Sequence, residues 1–549
     1  MAQQKKKDSF VLQAGILAAA GIIVKIIGLI YRSPLTSIIG LEGNGYYSSA
    51  INIYTIILLV SSYSIPSAIS KVIAQRLAYK EYRNAQRVFQ CALIYVLVVG
   101  GIASLITFFA APLLLSDMPN SVPVLRVFAP TIFFSGILGV LRGYFQAHGS
   151  MTHTSISQIL EQILNAGVSI LAAWLLIGTV KNESSTKQAV YGASGSALGT
   201  GAGVLVALLF MFGMYWLNGD VIRKRVKRDH TGHEESYQEI FRVIITTVTP
   251  FILSTFIYNC STVVNNKIYN NMMIGIKELE ESLVAVQYGI FATQAISIVN
   301  IPIALASAVS SASLPGVSAT FAMHREKETR RKVTQATRMT MLLAIPSAAG
   351  LLVLAKPVVQ FIYPQKEALD TASGLLRVLS VTVILYGLST LTNAVLQGIG
   401  KVNIPVIHSA VALVVQIGLL IGLLYYTDLD LYALAIANIA YSLLMCLLNH
   451  ASVKKYLGYR EDILKTYLFP ILAAAWMGAA AYVVYEGVFY LVRLNRVALI
   501  AAMGVAVFVY FVLIIRMGVV NEAELKAFPK GAMLVRIAKK MHLLRRTGK

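Results

Sequence analysis

Apolar runs of about twenty residues, each long enough to cross a bilayer as a helix, recur from one end of the chain to the other. They fall at 10–31, 46–70, 88–110, 124–146, 155–180, 190–217 and 243–268. Seven more fall at 284–311, 333–355, 374–397, 404–427, 431–451, 467–491 and 497–519. Backbone groups in hydrocarbon must be satisfied within the segment, and runs of this length do that as helices. The pattern predicts an all-α polytopic membrane protein with about 14 transmembrane helices. Polar positions interrupt the first run in an ordered way. Gly21, Lys25, Gly28 and Arg32 recur at i, i+4, i+7 and i+11, one narrow stripe of a helix. Ile22, Ile23, Ile26 and Ile30 occupy the other side. Lys25 lies roughly 24 Å from the inner end of its helix. A cation at mid-depth costs about 2.5–3.5 kcal/mol on insertion scales, so the stripe is a candidate anion site.

The pattern also repeats. VLRVFAPTIFFSGILGVLRGYFQAHG at 124–149 aligns without a gap with LLRVLSVTVILYGLSTLTNAVLQGIG at 375–400. Arg126/Arg377, Gly136/Gly387, Gln146/Gln397 and Gly149/Gly400 are among the identities. A second match pairs Ser61, Ser62, Ser64, Pro66 and Arg76 with Ser310, Ser311, Ser313, Pro315 and Arg325. Spans 2 and 4 thus correspond to spans 8 and 10. The repeat unit is six helices, and an even number keeps both copies in one orientation. Two six-helix lobes around a central cavity, rocking to give alternating access, are expected, with spans 13 and 14 added. The expected divisions are 1–220 for the first lobe, 221–242 for a basic cytoplasmic linker and 243–455 for the second lobe. The added helices take 456–520, and a basic cytoplasmic tail takes 521–549.

Composition sharpens this picture. The 549 residues are 57% hydrophobic and only 13% charged, with a net charge of +22. On a soluble chain that charge would suggest nucleic acid; on a membrane chain it reads as basic loops facing anionic lipid. With the N-terminus inside, about 33 Lys and Arg fall in cytoplasmic segments against about 8 outside, which places both termini in the cytoplasm. The expected location is the plasma membrane. The N-terminal run continues past Ala18-Ala19-Ala20 to Ile30 and reads as a retained helix rather than a cleaved signal. In the tail, Met533, Leu534, Ile537, Met541 and Leu544 share a face ringed by Arg536, Lys539, Lys540, Arg545 and Arg546, the pattern of an interfacial helix.

The chain shows no pattern for a metal, a disulfide framework or a cofactor. Cys91, Cys260 and Cys446 lie far apart in apolar runs, and the histidines show no HxxxH or HExxH spacing. GASGSALGTGAG at 192–203 follows no strand, so Gly195, Gly199 and Gly203 read as a close-packing helix face rather than a nucleotide loop. No GxxxxGK[ST] and no catalytic constellation occur, and the protein is not expected to be an enzyme.

Several polar residues on spans are further candidates. Arg126 and Arg377 are repeat-related, each at the outer start of its span, and fit either interface anchoring or pyrophosphate reception. Arg142 and Glu161 flank the turn at 150 at similar depth, and suit an ion pair pinning the hairpin or a coupling site. Asn52 on span 2, and Gln294 and Asn300 on span 8, either line a polar cavity or bond between helices. Asn259, Asn265, Asn266 and Lys267 crowd the end of span 7. Pro250 and Pro302 are expected to loosen their helices.

KIIGLIYRSPLTSIIGLEGNGYY…IY…SIPSAISKVIAQR and LRGYFQAHGSMTHTSISQILEQILN resemble the polysaccharide-biosynthesis exporters of Gram-positive bacteria. That MOP-superfamily group includes stage V sporulation protein B and the MurJ-type lipid II flippases, with MATE antiporters as cousins. The resemblance implies transport of undecaprenyl-pyrophosphate-linked glycans, peptidoglycan lipid II foremost, from inner to outer leaflet. It implies a cationic cavity, in which Lys25 matches one position and Arg32 lies close to a second, and a groove along spans 13 and 14 for the lipid tail. The chain departs from the family's pattern at Gln294, His153 and Asn165, where arginine, proline and arginine are usual. The implied partners are the lipid-linked glycan, membrane lipids and cell-wall synthesis proteins, without nucleic acid, and the chain is expected to be a monomer. The alternatives are another lipid-linked polysaccharide exporter or a MATE-like cation or drug antiporter. The latter would want a cavity carboxylate, which spans 1, 2, 7 and 8 lack. A non-transporting scaffold for wall synthases would leave the stripe on span 1 without a purpose.

Overall fold

The computed structural model describes residues 2–63, 65–227, 229, 231, 234–363, 365, 367–458, 462–520, 522 and 531–541. Every regular element among them is helical. In chain order these are α1 (Ala2–Leu58), α2 (Ile65–Ala78), α3 (Tyr82–Leu114), α4 (Val122–Ala147), α5 (Met151–Thr179) and α6 (Ser185–Leu217). Then come α7 (Gly219–Lys227), α8 (Tyr237–Gly275), α9 (Glu281–Gly289), α10 (Ser297–Ala322), α11 (Glu326–Val353) and α12 (Ala355–Ile362). The rest are α13 (Leu369–Leu379), α14 (Val381–Gly398), α15 (Asn403–Tyr426), α16 (Leu431–Leu457), α17 (Phe469–Val492), α18 (Asn495–Arg516) and α19 (Gly531–Lys540). Twelve helices among the described residues are long and apolar enough to cross a membrane. One of them, Ile23–Ser61, runs through the end of the first predicted span and most of the second. With α8 for the seventh, these are the fourteen spans expected.

The joint between the first two spans is tighter than a glycine-rich turn. Only Gly40 leaves helical geometry, at φ 70 and ψ 179, so the second span begins at Leu41 rather than near Tyr46. A left-handed φ is what glycine supplies without a Cβ penalty. The repeat partner of Gly40 at an offset of 249 is Gly289, and there too the helix departs from α geometry, through a π-helical segment at Ile290–Ile296. Span 2 has its own π segment at Leu59–Tyr63.

The span 4/span 10 match is visible in the helix ends. Gly149 (φ 76) closes α4 and Gly400 (φ 79) closes α14. The next residue donates to the same relative carbonyl in both, Ser150 N to Phe145 O and Lys401 N to Leu396 O, each 2.9 Å. This is one C-terminal cap used twice. The span 2/span 8 match drifts. Its helix ends are capped by left-handed Lys80 and His324, an offset of 244 rather than 249. Arg76 therefore precedes its cap by four residues while Arg325 follows its own, and the two arginines are not equivalent.

The chain divides into two compact units, Met1–Thr293 and Gln294–Lys549. In the first, Ile69, Ile73, Val88, Phe89, Leu141 and Tyr144 bury one another near the α2–α3 and α4–α5 turns. Helices α5 and α6 pack through the small-residue face. A Cβ on Gly195, Gly199 or Gly203 would strike Ala173, Ser169 or the Glu161 carbonyl respectively. Without a hydrophobic drive inside lipid, such backbone proximity is what holds helices together. In the second unit, α17 packs on α11, with Gly478 facing Val353. Tyr485, Ala498, Leu499 and Ala502 close the α17–α18 pair over Leu354. On α19, Val535 and Ala538 are buried while Met533 is exposed. The Leu534, Ile537 and Leu544 side chains lie outside the described residues, as does that of Pro250.

Candidate functional site

The rotation of the first span is set by Tyr31, Leu35 and Ile39, which bury with Ala173 of α5 in one cluster. That choice places the polar stripe beside the packed face. Gly28 faces Gln162 of α5, whose Nε2 lies 3.3 Å from where a Cβ would stand. Lys25 is exposed and Arg32 half-buried. The two cations are near enough to repel each other. Ile23, Ile26 and Ile30 are exposed at 44, 49 and 65%, a greasy flank that suits lipid. The stripe is therefore a pair of cations with Gly28 between them, where the missing Cβ lets the Gln162 side chain come close.

One residue from Gln162, Glu161 pairs with Arg142 of α4 at 2.7 Å. Arg142 also donates from Nε to Ser157 Oγ at 2.9 Å. The pair ties α4 to α5 across their turn, and its side chains are only 14% and 30% exposed. Both charges are thereby committed to each other.

The remaining candidates are dispersed. Asn52 donates from Nδ2 to Tyr288 Oη at 2.8 Å, joining α1 to α9. Arg126 is exposed and sets its guanidinium over the Phe108 ring, 5.7 Å from the centroid. Arg377 is exposed on α13, and Asn300 is exposed on α10. Gln294 lies in the π-helical segment, 1% exposed. Its Nε2 donates to Gln365 at 3.2 Å. Its buried Oε1 has no hydrogen-bond partner among the described residues. Within each unit the structure therefore groups Lys25 with Arg32, and Arg142 with Glu161, and keeps the other candidates apart from both groups.

A further set was not visible in the sequence. Glu42, Asp117 and Glu281 gather in the first unit where α1 breaks and α3 meets α4. Tyr46 donates to Glu42 at 3.0 Å. Asn120 donates to Glu281 from its backbone N at 2.8 Å and its Nδ2 at 3.0 Å. Asn270 donates to Asp117 at 3.0 Å. Lys267 Nζ stands 3.9 Å from Asp117. Glu42 went unnoticed because the second span starts five residues earlier than its hydropathy indicates. Asn270 and Lys267 of α8 here hold the loop at Asp117 and Leu114, while Asn266 bonds to Ser49 of α1.

The family model "Lipid II flippase MurJ" matches residues 78–500. Lipid II flippase MurJ of Bacillus subtilis (strain 168) is 24% identical over 541 residues, spanning 93% of this chain and 95% of that protein. Stage V sporulation protein B of the same organism is 25% identical, over 96% of this chain and 100% of its own length. Among solved structures, an inward closed conformation of lipid II flippase MurJ superposes with a TM-score of 0.62 at 16% identity, over 90% of this chain and 97% of that one. An inward-facing MATE-family multidrug transporter of the MOP superfamily superposes at 0.60 and 18% identity, over 78% and 98%. At these identities the superpositions establish the fold, whereas the family match covers most of the chain. The chain belongs to the lipid II flippase MurJ family.

Proposed function

We propose that the protein moves lipid-linked glycan precursors, peptidoglycan lipid II foremost, from the inner to the outer leaflet of the plasma membrane by alternating access. The observation that carries this reading is the Lys25–Arg32 stripe on a membrane-spanning helix. Two cations that repel each other across two turns, flanked by glycine, are stabilised by a compact dianion such as a pyrophosphate. In the remaining part of the reading, Arg126 or Arg377 receives the pyrophosphate at the outer end and the prenyl tail runs along α17 and α18. Exposed Trp476, Val483, Val507 and Phe508 on those two helices support that path. Outward transfer of two negative charges is driven by roughly 2.3 kcal/mol per charge per 100 mV of membrane potential. The MATE-like alternative asks for an uncommitted carboxylate, and the structure adds Glu42 and Glu281 at the starts of spans 2 and 8, where none was expected; Glu161 is held by Arg142, Glu42 by Tyr46, Glu281 by Asn120 and Asp117 by Asn270.

The test is reconstitution. Proteoliposomes carrying fluorescent lipid II in both leaflets are treated with a membrane-impermeant quencher, with and without an imposed potential. Loss of protection that depends on the protein and on the potential supports the reading. The same vesicles loaded with a different prenyl-pyrophosphate glycan report whether the sugar is discriminated. A chain that moves neither lipid overturns it.

A further inference from the structure

A second cationic feature lies far from the stripe, on the face predicted to be cytoplasmic. The amphipathic helix α7, just after the first six-helix repeat, packs beside α3 and α6 and borders, with the ends of α2, α3, α4 and α5, a half-open cavity of about 180 Å³. Its polar lining is Gln86, His148, Ser150, His153, Asn218 and Arg225, with Tyr82 and Tyr144 among the aromatic walls. Among the described residues no carboxylate lines it. Gln86 Nε2 is spent on Tyr215 Oη at 2.7 Å and Asn218 Nδ2 on the Met214 carbonyl at 2.8 Å, so the guanidinium and the two imidazoles are the groups left to meet an oxyanion.

The hydrogen bonding of the histidines fixes what each can offer. His148 Nδ1 stands 2.9 Å from the Tyr144 carbonyl oxygen, which can only accept, so Nδ1 carries the proton. The Nε2 of His148 is therefore the position that gains a hydrogen when the ring charges. His153 is oriented by Ser150 Oγ at its Nδ1 and by stacking on Phe145, ring centroids 4.9 Å apart. Burial pushes His148 below its ordinary titration range, and the neighbouring Arg225 adds to this. The other titratable groups near it are Tyr144 beneath it, Tyr82 from α3, His153 from α5 and Tyr215 of α6 behind Tyr144. On α7 itself the charged neighbours are Asp220 in the first turn and Arg223, Lys224 and Lys227 around Arg225, and among the described lining residues none is a carboxylate, so a bound anion would supply the counter-charge there.

We propose that this cavity is a phosphate-group site, with Arg225 as the fixed cation and His148 as a donor recruited by protonation when the anion enters. The volume accommodates a phosphate or phosphomonoester but not a whole glycolipid head. Because α7 begins the linker between the repeats, occupancy ties the linker to the bundle. The phosphate can belong to a lipid headgroup of the adjacent leaflet or to a soluble anion, and the recognition chemistry is the same. Proton uptake on binding makes the site tighter as pH falls.

The experiment uses the full chain in phosphatidylcholine nanodiscs, with its thermal transition followed as inorganic phosphate is added against chloride at equal ionic strength. A saturable upward shift is expected. It should be about tenfold less sensitive to phosphate in Arg225→Gln, which loses the charge-assisted bonds, and reduced in His148→Gln. Sulfate, which keeps its charge between about pH 5.5 and 8, isolates the histidine. Its binding should tighten toward the acid end in the wild type and not in His148→Gln. Nanodiscs containing phosphatidic acid separate the sources. If the headgroup fills the site, the phosphate shift disappears there and returns in Arg225→Gln only as a general salt effect. If the anion is soluble, the shift persists in both lipids. The proposal is overturned if neither phosphate nor phosphatidic acid produces a shift that depends on Arg225. Both variants are checked first for wild-type elution and baseline transition, and Arg225 is exposed, so its loss does not hollow the core.

Discussion

Arg142 and Glu161 show how a single contact can hold a transporter's charges in check. Their 2.7 Å pair, supported by Ser157, sits where solvent reaches poorly. Removing one partner leaves the other with its desolvation uncompensated. Glu161→Gln is expected to cost about 2 kcal/mol, read as a lower thermal transition in detergent. Arg142→Gln combined with Glu161→Gln is expected to recover part of that loss. A double variant no better than the single would make Glu161 more than a tether. The pair itself was legible in the sequence from its distance to the turn on either side. Glu42 was not, since its helix start depends on which of three glycines between 40 and 45 takes the left-handed angle.

At the scale of elements, helix ends are where the repeat is written most plainly. Gly149 and Gly400 share φ values of 76 and 79 and the same capping bonds, and a Cβ at either would meet nothing within 4 Å. Alanine there is penalised by backbone strain alone. Each of Gly149→Ala and Gly400→Ala is expected to cost about 1 kcal/mol, equally and additively, by thermal or denaturant unfolding. The linker gives an element-scale prediction in pH. Glu234 bonds to Arg83 at 3.0 Å and Arg87 at 2.7 Å. Glu235 bonds to Arg76 at 2.8 Å. Hydrogen bonds from Arg87 and Arg83 hold the Glu234 carboxyl below its ordinary range. A carboxyl depressed by docking contributes above its undocked value and loses that contribution as pH falls through the docked one. The contact should hold at neutral pH and loosen below about pH 4, seen as faster proteolysis or amide exchange around 234–236. Glu234→Gln should show the looser behaviour already at neutral pH. No sequence pattern announced this clamp, because its partners are about 150 residues apart and each looks like an ordinary loop charge.

For the whole molecule, hydropathy carried the fourteen spans and the class of fold, since a bilayer imposes one length and one hydrogen-bonding solution on every crossing. What it could not carry is the pairing of particular polar side chains. Asn52 with Tyr288, and the amides of α8 with Asp117 and Ser49, depend on which helices become neighbours and on their rotation. The stripe on the first span is the exception, being a property of one helix, and the structure leaves Lys25 exposed there beside a glycine. The account stands on that cation. The most direct test depletes the native lipid II flippase of a Gram-positive host, expresses this chain or its Lys25→Ala variant at equal membrane levels, and labels lipid II in the outer leaflet. Outer-leaflet lipid II restored by the wild type and lost in Lys25→Ala is the predicted result. Restoration by both would contradict the role given to the stripe, and restoration by neither would contradict lipid II as the cargo.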